Sequence, residues 1–394
     1  MVPSPAQPST KQRPPIALDF QASTPCAPAV LEAMQPWWSI EWGNPSSRQH
    51  RLGLQAAAAV SDARERLASC LDVDPTQVIF TSGATEANNL ALLGHARALA
   101  EQTGRKGHLI SMTTEHHAVL DPLEQLRREG FQVTLLNPGA DGLLNPAALE
   151  EALQPDTLLV SVMAANNEIG VLQPIEEIGT LCRARGIRLH SDAAQTFGHV
   201  PFRPMALQVD LCSLSAHKLY GPKGVGALVV NDGVPLRPLQ FGGGQEQGLR
   251  PGTLPVPLII GMARAAELAM ADLKERGDRL QALRNQLWRG LQQQIAGVEL
   301  NGALDPRLPH NLNITVQGVN GLGLQRALKT RLMCSSGSAC SAGAPSHVLQ
   351  AIGRSRAEAN ASLRLSLGQS TTPQEIQEAI TVIGHAVDGV RQPT

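Results

Sequence analysis

No apolar run in this sequence approaches the roughly 18 residues that a membrane-spanning helix needs. An excess of charge of one sign is missing too: 33 lysines and arginines meet 34 aspartates and glutamates, for a formal net charge of -1. No global field therefore draws the protein to nucleic acid or to an anionic membrane. Cysteines stand at 26, 70, 182, 212, 334 and 340. No two have CxxC spacing and no histidine cluster accompanies them, which argues against a metal site or a disulfide framework. Cys70, Cys182, Cys212 and Cys334 lie in or beside apolar stretches and are expected in the core; Cys340 does not. The first fifteen residues hold five prolines, with Lys11 and Arg13 and no acid. They lack the apolar core of a signal peptide. Residues 1–15 are expected to form a disordered tail, and the protein to be cytoplasmic. Internal repeats are absent.

What is present is a long soluble pattern. With 394 residues, 42% of them hydrophobic, the chain can bury a large core and divide into two domains. Short apolar runs alternate with amphipathic ones. Strands are expected at 78–81, 108–112, 131–136, 157–163, 187–190, 210–214 and 226–230, with helices at 54–71, 85–100, 121–129, 146–153 and 175–185 between them. Such alternation implies an α/β fold around a mostly parallel sheet with helices on both faces. Further helices are expected at 258–276, 278–294 and 373–387, and strands at 311–316 and 363–367.

Polar residues gather where the strands end: Thr114-Glu115-His116-His117, Asn166-Asn167-Glu168, Ser191-Asp192 and Ser215-Ala216-His217-Lys218. Open α/β sheets bind ligands at the carboxyl ends of their strands. Lys218 follows a buried apolar run and precedes a Gly/Pro turn. A partly desolvated lysine there can lose its proton and attack a carbonyl carbon. Taken alone, such a lysine reads first as a solvated loop charge, and the rest of the chain has to reverse that. Thr81-Ser82-Gly83-Ala84-Thr85-Glu86 ends a strand and opens a helix, whose bare N–H groups suit a phosphate; an ordinary capped helix start is the alternative. It is not a Walker loop, because no Gly-Lys-Thr follows. A ligand such as pyridoxal phosphate needs a lysine for its aldehyde and a carboxylate for its ring nitrogen. Lys218 and Asp192 supply both. Arg364 offers a planar fork for a carboxylate, or else a strand-edge ion pair. Cys340 lies in a Ser/Gly/Ala segment, 334–345, that cannot pack a core of its own.

Ten motifs recur in order between about Ile16 and Leu367: Leu18-Asp19 with Thr24-Pro25, the Gly43–His50 turn, Thr81–Glu86, Thr114–His116, Asn166–Gly170, Asp192 with Gln195, Ser215–Gly224, Arg250–Thr253, Ser336–Cys340 and Arg364–Ser366. This pattern resembles the cysteine desulfurases, pyridoxal-phosphate enzymes of aspartate-aminotransferase-like fold (fold type I) that feed sulfur to iron–sulfur cluster assembly. It is similar to the branch with a short loop around the catalytic cysteine. The resemblance implies a large cofactor-binding domain over 28–272. It also implies a smaller α+β domain, from 16–27 and 273–394, that carries the cysteine loop. By the same resemblance Lys218 bonds the cofactor aldehyde and moves the substrate's Cα proton. Asp192 holds the ring nitrogen and His116 stacks on the ring. Asn167 and Gln195 serve the phenolic oxygen or its surroundings, with Asn167 also near substrate. Ala84, Thr85, Ser215 and His217 take the phosphate, with Thr253 reaching in across a homodimer interface. Arg364 grips the carboxylate of L-cysteine. Cys340 takes its sulfur as a persulfide, alanine leaves, and a sulfur-acceptor protein such as an iron–sulfur scaffold is the partner. A related lyase acting on cystine or selenocysteine is the alternative. This chain departs from the pattern at Phe20, Gln21, Ser23, Ser191 and Pro251, and Pro345 follows Cys340 sooner than in that branch.

Overall fold

The computed structural model describes residues 14–335 and 345–391. Most of the expected tail and the whole of 336–344, with Cys340, lie outside the described residues. Twelve strands are described: β1 Ile16–Ala17, β2 Val78–Thr81, β3 His108–Met112, β4 Gln132–Leu136, β5 Thr157–Ser161, β6 Arg188–Asp192, β7 Leu211–Ser215, β8 Gly226–Val230, β9 Val298–Leu300, β10 Asn311–Val316, β11 Leu332–Met333 and β12 Ser362–Ser366. Seven of them form one sheet in the order β2-β8-β7-β6-β5-β3-β4. All neighbours are parallel except β8, which runs antiparallel to both β2 and β7.

Side chains along these strands alternate between two apolar clusters. Ile79, Leu109, Leu159 and Leu211 enter one; Phe80, Ile110, Val160 and Cys212 enter the other. A strand covered on both faces has no water-facing side, so its residues read as one continuous apolar run. That is why the strands were legible in sequence.

A second layer follows. β12, β10 and β9 form an antiparallel sheet, and β1 pairs with β11 in parallel. Helix Leu273–Gln294 packs on this sheet through Leu280, Leu283, Leu287 and Leu291, one apolar stripe at helical spacing. Helix Pro373–Arg391 supplies Ile376, Ile380 and Ile383 to the same core. Among the described residues no helix is long and apolar enough to cross a membrane.

Several boundaries differ from expectation. Helix His117–Arg128 starts four residues before the expected Asp121, because the His116 ring caps it by accepting from Ala118 N at 3.0 Å. Apolar periodicity does not register a cap. The expected helix at 258–276 ends instead with Val256–Ala271, and the next begins at Leu273. Buried Arg276 takes the carbonyls of Gly198 and Ala269, at 2.6 and 2.7 Å, and pairs with Asp272, which fixes the turn there. Cys182 and Cys212 are buried as expected, whereas Cys70 and Cys334 are only half-buried.

Four histidines are folded into this frame as neutral groups. His190 bonds Ser161 Oγ and Ser213 Oγ, and burial pushes its pKa down to about 3. Burial lowers His199 and His217 to about 4 each and His310 well below its ordinary value. In the unfolded chain each takes a proton below about pH 6.5. The unfolded state then binds more protons, so stability is complete above that pH and is lost as pH falls toward about 4. The thermal midpoint should therefore fall by several degrees between pH 7 and pH 5. A midpoint that stays level across this window would mean these rings carry charge in the folded protein.

Candidate active site

The parallel strands β3, β5, β6 and β7 deliver their carboxyl ends to one edge of the large sheet. β2 points the same way, because the antiparallel β8 lies between it and β7. Gly226 opens β8 opposite both Thr81 and Ser215. A Cβ there would lie 2.4 Å from Leu214 O and 2.6 Å from Gly83 Cα. Only a glycine lets the Gly83 turn settle against this edge. The result is a cavity of about 510 Å³.

Ten of the twelve residues expected from sequence line it: Ala84, Thr85, His116, Asn167, Asp192, Gln195, Ser215, His217, Lys218 and Arg364. Thr253 does not; it is exposed and stands apart from the cavity wall. Cys340 is outside the described residues. Three larger hollows, of about 1130, 780 and 530 Å³, open elsewhere. None brings together a lysine, a buried carboxylate and an unpaired guanidinium nitrogen, so chemistry selects this cavity.

Lys218 ends a single 3-10 turn after β7. Its Nζ donates to Gln21 O at 2.6 Å and Ala22 O at 3.0 Å, and its own carbonyl bonds His199 Nε2 at 2.9 Å. Asp192 ends β6 and is buried. Asn88 Nδ2 donates to its Oδ2 at 2.7 Å, and Ala194 N to its Oδ1 at 2.9 Å. Both carboxylate oxygens are thus held in place without a cationic hydrogen-bond partner. His116 Nδ1 accepts the Ala118 amide, so in the neutral ring the proton sits on Nε2. Burial lowers its pKa, and nearby Asp192 pulls the other way. His217 is held below its ordinary value by burial, with Lys218 and Lys223 adding to the shift. Gly83, at φ 153°, gives the following helix no side-chain cap, leaving its first N–H groups open to a ligand.

Arg364 stands on β12, its side chain 3% exposed. Nη1 donates to Asn167 O at 2.8 Å; Nη2 donates to Asp19 Oδ1 at 3.0 Å and Ser335 Oγ at 3.1 Å. Among the described residues, four buried polar atoms of cavity-lining residues have no hydrogen-bond partner: Gln21 Nε2, Asn88 Oδ1, Asn167 Oδ1 and Arg364 Nε. Buried polar atoms in folded proteins are nearly always paired. Unpaired donors and acceptors gathered in the walls of one cavity suit a polar ligand.

Comparison with known proteins agrees with this geometry. Residues 16–378 match the family model for aminotransferase class-V. A cysteine desulfurase IscS of Vibrio cholerae is 48% identical over 383 residues, 96% of this chain and 94% of that protein. One of Anaeromyxobacter dehalogenans is 46% identical over 382 residues, with the same coverage of both chains. A solved NifS-like protein superposes with a TM-score of 0.88 at 36% identity, covering 95% of this chain and all of its own. A structure of SspA in complex with cysteine gives 0.78 at 39% identity, covering 90% and 99%. The chain belongs to the class-V aminotransferases. Within them it is a cysteine desulfurase, and its cofactor is pyridoxal phosphate. The donor set fits that cofactor: an amine, a buried carboxylate, a helix start and a hydroxyl face one cavity.

Sequence reading passed over several residues of this cavity. Asn88, which holds the Asp192 carboxylate, lies one helical turn beyond Thr85; that spacing was the available signal. Lys223, Ser23 and Gln21 also line the wall. Replacing Asn88 by alanine leaves Asp192 Oδ2 without its donor. A lost hydrogen bond to a charged group is worth a factor of about ten or more. Apo Asn88→Ala protein titrated with pyridoxal phosphate, followed by absorbance, should bind it about tenfold more weakly than the parent. Equal affinity would show that Asp192 needs no such support.

Proposed function

We propose that this enzyme removes sulfur from L-cysteine through a persulfide on Cys340, releasing alanine and passing the sulfur to an acceptor protein such as an iron–sulfur scaffold. The observation that carries the reading is one cavity faced by the Lys218 amine, the buried Asp192 carboxylate and the Arg364 guanidinium. Ala84, Thr85, Ser215 and His217 would hold the cofactor phosphate, Asp192 its ring nitrogen, Lys218 its aldehyde, and His116, Asn167 and Gln195 its ring. When bound, pyridoxal phosphate supplies an electron sink that lets the carbon–sulfur bond of the substrate break heterolytically.

The protein's own groups do the rest. Arg364 binds the substrate carboxylate, with Asn167 beside it. The Lys218 amine removes the Cα proton; to act as a base it must be unprotonated. His116 presents Nε2–H and serves as a proton donor. The Cys340 thiolate attacks the substrate sulfur. A sulfur–sulfur bond forms, the carbon–sulfur bond breaks, and the electron pair goes to the carbon fragment, which gains protons and leaves as alanine. The flanking residues support placing Cys340 here. Ser335 donates to Asp19 Oδ1 at 2.8 Å beside Arg364, and Ser346 donates to Glu168 Oε2 at 2.5 Å beside Asn167.

We infer further that the large unit spans 28–272, with 16–27 and 273–394 forming the small one. A homodimer in which Thr253 serves the partner's site is supported by an unusual apolar surface. Trp38, Ile40 and Trp42 are 60–69% exposed and Phe241 is 83% exposed. Phe241 precedes the glycine-rich stretch that leads to Thr253. A cytoplasmic location fits the unpaired thiols of Cys26, Cys70, Cys182, Cys212 and Cys334.

Cys340→Ser should keep the cofactor's colour yet release no sulfide from L-cysteine, and the Cys340 peptide of the parent should gain the mass of one sulfur. Sulfide release at the parent rate by the variant would refute the persulfide route. Ile40→Asp with Trp42→Asp should turn a dimer into a monomer by light scattering and weaken cofactor retention. A dimer that survives both changes would place the interface elsewhere.

A further inference from the structure

A chain of one-way donors fixes how one amide in the active-site wall is oriented. Arg307 has only donors to offer, and its Nη1 bonds Asn311 Oδ1 at 3.0 Å. The other end of that amide, Asn311 Nδ2, must then donate. It does so to Glu168 O at 3.0 Å and to Gln21 Oε1 at 2.5 Å. Gln21 therefore commits its oxygen to Asn311, and its Nε2 is directed elsewhere. Gln21 is 1% exposed and lines the cavity, and its Nε2 has no partner among the described residues. The orientation is unique, since the arginine at one end of the Asn311 amide and the Glu168 carbonyl at the other each allow only one.

A second unpaired donor belongs to the same wall. Arg364 Nε is buried without a partner among the described residues, its two other nitrogens being engaged by Asn167 O, Asp19 and Ser335. Both residues are fastened to one short stretch of β12. Gln21 N donates to Ser366 Oγ at 2.9 Å, and Asp19, paired with Arg364, bridges to Ser366. The Gln21 carbonyl meanwhile receives the Lys218 amine, so this residue touches both the lysine and the strand that carries the arginine.

We propose that Gln21 is a substrate-binding residue whose Nε2 donates to the α-carboxylate of the substrate alongside Arg364. The assignment rests on Arg364 being the carboxylate site. Two N–H donors without partners call for a group that only accepts and has lone pairs on two oxygens. A carboxylate does; the ammonium and the thiol of the same substrate do not. Gln21 adds a donor without adding charge, so Asp19 remains the counter-ion that Arg364 already has. The residue thus sets preference for amino acids over amines.

The test uses the holoenzyme and two ligands, L-alanine and ethylamine, which is alanine without its carboxylate. Gln21→Met keeps the length of the side chain and removes the donor. Calorimetric titration should show L-alanine binding weakened about tenfold or more, with ethylamine unchanged. Gln21→Glu keeps an oxygen for Asn311 but turns a carboxylate oxygen toward the ligand; it should weaken L-alanine further and leave ethylamine no weaker. Equal losses for both ligands in Gln21→Met would overturn the proposal, because the side chain would then only support the pocket. So would unchanged binding of L-alanine. Arg364→Met separates the two readings: if it costs L-alanine no affinity, the carboxylate site itself is misassigned, whatever Gln21 does.

Discussion

The Lys218 amine rests on the backbone carbonyls of Gln21 and Ala22. This contact joins two parts of the chain almost 200 residues apart. One belongs to the end of a large-sheet strand, the other to the segment that docks on the small sheet through the Asp19–Ser366 bridge. The cavity exists because these parts meet. Neither wall alone holds a substrate: the large sheet brings the amine, the carboxylate and the helix start, while the small sheet brings the guanidinium. Two carbonyls hold the amine in place by hydrogen bonds.

The same site shows how charge is managed in a buried space. Asp192 is held by an amide and a backbone N–H rather than by a cation. A salt bridge there would saturate the carboxylate and leave it little to offer a ring nitrogen. His116, His190, His199 and His217 all have lowered pKa values, burial being the main cause. His116 and His217 line the cavity, while His190 and His199 bond Ser213 Oγ and the Lys218 carbonyl. Arg364 keeps Asp19 as a partner and still has a nitrogen unpaired among the described residues.

Much of the large sheet was legible beforehand because both of its faces are covered. Gly226–Val230 and His108–Met112 match the expected strands residue for residue. Nine of the ten lining residues follow the ends of large-sheet strands that point one way, so chain order maps onto one edge of that sheet; Arg364 stands on β12 of the small sheet and was legible through its motif. Helix starts were less legible. The one at His117 depends on a ring nitrogen accepting an amide, and the one at Leu273 on an arginine reaching carbonyls far away in sequence. Asn88 left only its one-turn spacing from Thr85, and Gln21 left no sign in periodicity, since both act through hydrogen bonds to distant residues.

By itself, the sequence determined the layered α/β plan and the chemical kind of the site. Apolar period and residue type act locally and repeat, and a lysine, an aspartate and an arginine keep their chemistry wherever they are placed. Only the tertiary structure decided which amide donors remained unpaired and which oxygen each carboxylate offered. Those facts depend on what lies opposite a side chain across packed elements, and hydrogen-bond direction is settled only when both partners are in place.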